Sequence, residues 1–160
     1  MDLFIQSINS PLGIIEISTT AEAVQSVVFV EEAQESTAAN NILTDCITQL
    51  EEYFKGNRKD FDLPLAQPGT DFQQKVWHLL TEIPFGATTN YLAMARKVGN
   101  EKSIRAVGTT NGKNNIAIIV PCHRVIGSDG KLVGYAGGLW RKQWLLEHEA
   151  KIAHGAQTLF

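Results

Sequence analysis

Two periods of hydrophobic and polar positions divide the chain. Residues 4–8, 13–18 and 24–30 are short runs rich in Ile, Val and Phe, and Ser10-Pro11-Leu12-Gly13 separates the first two as a turn. Three strands are predicted there. From residue 42 the period lengthens, with Ile42, Leu43, Cys46, Ile47, Leu50, Tyr53 and Phe54 recurring at helical spacing. Lys55-Gly56-Asn57 supplies a stop. Residues 58–69 are polar, carry Pro64 and Pro68, and read as a linker.

A second helical stretch opens on Thr70-Asp71-Phe72-Gln73. Thr followed three residues later by Gln is a capping box, in which each side chain satisfies an orphan backbone donor. Phe72, Val76, Leu79, Leu80 and Ile83 form one face, and Pro84 and Gly86 end it. A short helix over residues 91–98 stops at Gly99-Asn100, and another starts near Glu101 and carries Ile104, Arg105, Ala106 and Val107. Helix, tight glycine turn, helix is the pattern of a helix-turn-helix, whose second helix can enter a DNA groove. Residues 116–120 are an apolar run, expected to be a buried strand or extended segment, and Ser128-Asp129-Gly130 is a turn. Gly137-Gly138 precedes a last helix with Leu139, Trp144, Leu145 and Leu146 expected inward. The fold class is therefore α/β (α+β). A small N-terminal strand-and-helix domain with its linker (residues 1–70) precedes a mainly helical domain with the helix-turn-helix (residues 71–160).

Charge sharpens this division. The formal net charge is -3, yet residues 1–70 hold three Lys/Arg against eleven Asp/Glu, and residues 71–160 hold eleven against six. A polyanion would dock on the second half, with Lys102, Arg105 and Lys113 near the helix-turn-helix. The opening MDLFIQSINS carries Asp2 and no basic stretch, so no leader is expected. The apolar run at 116–120 is far shorter than the roughly 20 residues a membrane helix needs. A cytoplasmic monomer without membrane contact is expected.

Two cysteines, Cys46 and Cys122, stand in a chain expected in a reducing compartment, so each needs its own account. Cys46 lies on the apolar face of the first helix and reads as core. Cys122 sits in Pro121-Cys122-His123-Arg124, where a neighbouring base could generate the thiolate that does chemistry. Cys122 reads equally as a structural thiol beside a surface histidine. His123 needs an orienting acid to act as a base. Glu149 lies four residues from Leu145 on a core-facing stripe, whereas Glu147 points nearer solvent, so Glu149 is the better partner. No second Cys/His pair stands at metal-ligand spacing, and no metal or cofactor is expected.

Pro121-Cys122-His123-Arg124-Val125 resembles the active-site motif of the O6-alkylguanine-DNA alkyltransferase (methylated-DNA–protein-cysteine methyltransferase) family. The likeness extends through Ile83-Pro84-Phe85-Gly86, Tyr91, Arg105-Ala106-Val107-Gly108, Asn111-Gly112-Lys113-Asn114, Gly134-Tyr135-Ala136-Gly137-Gly138 and Trp144-Leu145-Leu146-Glu147-His148-Glu149, in the family's order and spacing. It is close over residues 71–150, while residues 1–70 match only in size and in strand-then-helix character.

The resemblance implies a single irreversible transfer of an alkyl group from O6-alkylguanine in double-stranded DNA, extending to O4-alkylthymine, onto Cys122. It implies that His123 deprotonates Cys122 through a water, that Glu149 holds His123, and that Asn114 braces the active-site turn. Tyr91 would help protonate the departing base, Tyr135 would contact O6, Lys142 would lie beside the alkyl pocket, and Arg105 would fill the space left by the extruded nucleotide.

Three positions depart from the family pattern: Asn90 for a common Ser, Asn115 for a common Pro, expected to loosen its turn, and Ala136 for the Ser of animal members. Competing readings are a lesion sensor, which would lack the acceptor cysteine, a Cys122-His123-Glu149 hydrolase, which would leave the helix-turn-helix without a role, and a plain DNA-binding regulator, against which the acidic first domain counts.

Overall fold

The computed structural model describes residues 2–155; residue 1 and residues 156–160, at the ends of the two expected domains, lie outside the described residues. The chain forms two compact units, one from Met1–Pro68 with Asn115–Ala117, the other from Gly69–Asn114 with Ile118–Phe160.

The first unit is a three-stranded antiparallel sheet of β1 (Phe4–Ser10), β2 (Gly13–Thr19) and β3 (Val24–Val30), in that order, with helix α1 (Asn41–Phe54) packed on it. The β1–β2 turn is tight because Ser10 Oγ accepts from Leu12 N (3.0 Å) and donates to Gly13 O (2.8 Å), while Gly13 takes φ 98°, open to glycine at little cost. Pairing of Ile15 with Phe29 and of Ile17 with Val27 sets one face toward the core, where Leu43, Cys46, Leu50 and Tyr53 of α1 are fully buried. Cys46 is thus a packing residue, and burial pushes its thiol up to about 12. Asn40 caps α1 by accepting from Leu43 N at 2.8 Å. The linker is not wholly irregular: Leu65 bridges Val24 in parallel, with Val24 N donating to Pro64 O and Ala66 N to Val24 O. Asn115–Ala117 extends the same sheet, Val27 N donating to Asn115 O and Ala117 N to Val27 O.

The second unit opens with α2 (Asp71–Thr81), and its capping box is formed: Gln73 N donates to Thr70 Oγ1 at 3.2 Å and Thr70 N to Gln73 Oε1 at 2.9 Å. Val76, Trp77 and Leu80 are its buried residues. Trp77, absent from the apolar stripe drawn from sequence, is buried, and its indole N–H is satisfied by Thr110 O at 3.1 Å. A two-residue strand β4 (Thr89–Asn90) leads into α3 (Tyr91–Val98), which ends on Gly99 in the left-handed region, φ 108°. A 3-10 turn (Glu101–Ser103) then precedes α4 (Ile104–Gly112), so the second helix of the helix-turn-helix starts three residues later as an α-helix than its first polar residue suggested. After a second 3-10 turn (Cys122–Arg124), β5 (Val125–Ile126) pairs with β4 in parallel, and α5 (Leu139–His154) closes the unit.

Two expectations are corrected. Residues 116–120 are not a strand: Ile116 makes one bridge to Val27, and a turn follows over residues 117–119. The run is apolar because it is buried, which by itself does not make an extended ladder. Leu139 is 48% exposed, not inward. It occupies the first turn of α5, ahead of the buried stripe that begins at Lys142 and continues through Leu145, Leu146, Glu149 and Ala150.

Thr70→Ala removes one half of the capping box. Urea unfolding should register a loss of about 1 kcal/mol, and an unchanged midpoint would show that α2 is held by its tertiary contacts alone.

Candidate active site

The Cys122 turn is built by side-chain amides. Asn114 Nδ2 donates to Val120 O at 2.9 Å, Asn111 Nδ2 to Cys122 O at 3.3 Å, and Cys122 N to Val120 O at 2.8 Å. Between these anchors the chain reverses at Ile118, which is buried and takes φ 72°. That region disfavours a β-branched residue, by about 1–3 kcal/mol. The turn therefore stores strain that the flanking amides and the burial of Ile116, Ile118, Ile119 and Val120 hold in place. Pro121 is followed by the 3-10 turn, which leaves Cys122 6% exposed.

Beside it lies a buried charge cluster. His123 Nε2 meets Glu149 Oε2 at 2.7 Å, with both side chains almost fully buried. Arg124 shares the same carboxylate: Nε donates to Oε1 at 2.8 Å and Nη2 to Oε2 at 3.1 Å, while Nη1 donates to Ile83 O at 2.6 Å. Burial alone would raise Glu149, yet pairing with His123 and Arg124 outweighs it and holds the carboxyl far below the usual range. Burial lowers His123, and Arg124 and Lys142 add to that against the pull of Glu149, so the ring is a neutral base at neutral pH. Neutral His123 then donates from Nε2–H to the carboxylate and keeps its acceptor on Nδ1, which no described protein group hydrogen-bonds.

The thiol feels several neighbours. Burial raises Cys122, while a hydrogen bond from Asn114 and the charge of Lys142 pull it back in part. Tyr91 is raised by burial and by the thiolate charge, and lowered by a hydrogen bond from Asn111. Tyr135 is raised well above its ordinary value, chiefly by burial, then by Cys122. Lys142 is fully buried, and its ammonium donates to Val125 O (2.6 Å), Val133 O (2.8 Å) and Gly134 O (3.1 Å). Burial brings it down to about 8. Its observed work is to tie the loop bearing Tyr135 to β5. The Tyr91 hydroxyl donates to the same Val133 O at 3.3 Å.

Cys122, His123, Glu149, Asn114, Tyr91, Tyr135 and Lys142 are thus linked through shared contacts or charges. Arg105 stands apart, exposed on the first turn of α4, and Lys102 in the 3-10 turn before it and Lys113 at its C-terminal cap are exposed too. Gly108 lies under the Tyr91 ring, where an added Cβ would come 3.9 Å from it, so α4 carries exposed Arg105 on its first turn and packs against Tyr91 further along. Among the described residues no group of three or more His, Cys, Asp or Glu could hold a metal ion, and no helix is long and apolar enough to cross a membrane.

Two residues were not singled out from sequence. Arg124 appeared only as a neighbour of the thiol, although an arginine between the apolar Val120–Pro121 and Val125–Ile126 must find a partner if it is buried. Asn111 carried no signal of its own. Two departures from the family pattern also have a structural account. Asn90 caps α3 by accepting from Ala93 N at 2.8 Å, a task Ser performs equally well. Asn115 gives its turn a bond that proline could not: its backbone N–H donates to Gln67 Oε1 at 3.0 Å.

Family descriptions match nearly the whole chain. Residues 71–151 match the DNA binding domain of 6-O-methylguanine DNA methyltransferase, and residues 3–67 match its ribonuclease-like domain. A methylated-DNA–protein-cysteine methyltransferase of Methanosarcina acetivorans is 47% identical over 146 residues, covering 88% of this chain and 94% of its own. One from Mycobacterium bovis is 41% identical over 160 residues, covering 97% of each. The crystal structure of the Mycobacterium tuberculosis O6-methylguanine methyltransferase superposes with a TM-score of 0.86 at 40% identity over 97% of both chains. That of Mycobacterium tuberculosis OGT in complex with DNA gives 0.85 at 41% identity, over 92% of this chain and 93% of that one.

The charge cluster predicts a signed pH dependence. His123 and Glu149 both bind protons less readily folded than unfolded, so stability is full at neutral pH and falls with acid. Loss begins below 6.5, the ordinary histidine value, and a second loss begins below 4.5 as Glu149 in the unfolded chain takes up its proton. Glu149→Gln leaves Arg124 with an uncompensated buried charge and should cost about 3–5 kcal/mol at pH 7. It should also abolish the loss below 4.5 in urea unfolding. Retention of that loss in the variant would move its origin to other carboxylates.

Proposed function

The chain belongs to the 6-O-methylguanine DNA methyltransferase family, and from that premise we propose which of its residues carry the reaction. It repairs DNA by direct transfer of an alkyl group from the O6 of guanine to a cysteine of its own, a methylated-DNA–protein-cysteine S-methyltransferase activity on double-stranded DNA. The cysteine is Cys122. The carrying observation is a buried thiol one residue from a neutral histidine that is oriented by a 2.7 Å bond to a buried carboxylate.

In this assignment His123 takes the thiol proton through a bridging water, and Glu149 stabilises the imidazolium. The thiolate attacks the alkyl carbon. The Sγ–C bond forms, the C–O6 bond breaks, and its electron pair returns to the purine. Tyr91 gives the purine a proton as it leaves, and solvent exchange returns the imidazolium proton to the phenolate, so the proton count closes. The product is a neutral thioether that no group in the site can cleave, hence one turnover. Asn114 holds the turn, Tyr135 contacts O6, and Lys142 fixes the loop beside the alkyl group.

The target carbon is stacked inside a duplex, so the nucleotide must be extruded. Arg105 is the residue assigned to the vacated space, on the exposed N-terminal turn of the second helix of the helix-turn-helix. The protein works as a monomer. Its two free cysteines fit a cytoplasmic setting.

Incubation with duplex DNA holding one O6-methylguanine should add one methyl to the Cys122 peptide, saturating at one per protein by mass spectrometry. Cys122→Ala should abolish transfer and keep DNA binding. Binding without modification of the unsubstituted protein would make it a lesion sensor. Arg105→Ala should slow repair of duplex DNA about tenfold or more, the extrusion step alone being impaired, and leave the rate with free O6-alkylguanine base nearly unchanged. Equal slowing of both would remove the wedge role.

A further inference from the structure

Ile104 opens α4 with an apolar side chain left 41% exposed, and no role attaches to it in the reaction as assigned above. A single exposed isoleucine calls for no explanation by itself. Its position on the helix does. The core side of α4 is Val107, Thr110 and Asn111, whereas Ile104 and Arg105 at its start are exposed, with Lys102 just before them. Residues four and seven positions beyond Ile104 share its face of the helix, and these are Gly108 and Asn111. The Tyr91 ring lies against Gly108, 3.9 Å from where a Cβ would stand, and Asn111 Nδ2 donates to Cys122 O at 3.3 Å. The stripe 104–108–111 therefore runs from water to the acceptor turn, and Ile104 is its outer end. Its backbone is held in place from behind: Asn100 Oδ1 accepts from Lys102 N at 2.9 Å, and Ser103 Oγ donates to Asn100 O at 2.6 Å.

We infer that Ile104 is the apolar sill of the site, packing against the sugar of the extruded nucleotide where it lies between the duplex and Cys122. The inference rests on the proposed alkyl transfer and on the place given to Arg105. With Arg105 in the vacated space, the next residue back along the helix starts the stripe that leads to Tyr91 and Cys122, so a nucleotide drawn out of the stack must lie along it. The base goes to the inner end, at Gly108 and Asn111. The sugar then falls at the outer end, and its carbon skeleton is the apolar part of the nucleotide outside the base. An isoleucine there offers no hydrogen bond, so the contact is indifferent to the neighbouring sequence. Covering it also removes from water an apolar surface that the free protein leaves wet. A β-branched side chain in a helix has few rotamers to lose on being covered.

The test compares second-order rates of Cys122 modification by three substrates that add the sugar and then the strands: free O6-benzylguanine, its 2′-deoxynucleoside, and a duplex holding one O6-benzylguanine. Each rate is taken as the ratio of variant to unsubstituted protein. Ile104→Ala suits an exposed helix position at least as well as isoleucine, so the fold is kept. Relative to the free base, it should slow the nucleoside about threefold and the duplex about tenfold, as expected for the loss of a few covered methyl and methylene groups. Ile104→Val, one methylene smaller, should give lesser losses in the same order. Slowing of the duplex alone would set Ile104 against the intact helix and overturn the inference. Equal slowing of all three substrates would make the residue a prop for the site itself and overturn it as well, as would no slowing of any. Absence of Cys122 alkylation in the unsubstituted protein would instead overturn the functional assignment.

Discussion

One carboxylate organises the second unit. Glu149 takes three hydrogen bonds from two neighbours on the opposite side of a buried contact, one from His123 and two from Arg124. Such a group is tolerable only because every interaction is in place at once: a buried carboxylate is costly alone, and so is a buried guanidinium. Arg124 reaches further to Ile83 O, at the end of α2. The arrangement thus ties α5, the Cys122 turn and the exit of α2 to one point of charge. The histidine gains its orientation from a cluster the fold needs anyway, so the proposed base draws on structural electrostatics instead of adding its own.

Much of this was legible as pattern. The capping box at Thr70, the helical stripe through Cys46 and the glycine stop at Gly99 are local devices, and each appears where its residues stand. Glu149 was legible too, since a carboxylate one turn from Leu145 on a core-facing stripe must be paired. The path of residues 116–120 was not. Hydrophobicity reports burial, and the reversal there depends on Asn114 and Asn111 reaching across in space and on a positive φ at Ile118 that no sequence pattern encodes. Lys142 shows the same limit. Its family role suggested a place beside the alkyl group, whereas its three carbonyl partners come from segments that only the fold brings together.

The chain's course near Cys122 also decides how the first unit is composed. Asn115–Ala117 belong to the unit formed by Met1–Pro68, pairing through backbone bonds with Val27, and five residues later the chain is at Cys122. A cut after residue 68 therefore does not yield a complete first unit. The Asn115 N–H bond to Gln67 shows that the excursion is pinned by side chain as well as by backbone.

The burial of Cys122 has a consequence for how long the protein keeps. A residue that can be used once must not be spent on the wrong reagent. Peroxide and disulfide chemistry both begin from an accessible thiolate. In the resting protein the thiol is 6% exposed and its burial favours the protonated form, so it offers such oxidants little purchase. In the proposed assignment the burial that disfavours the Cys122 thiolate also shelters it, and the reactive form is reserved for an electrophile carried into the site.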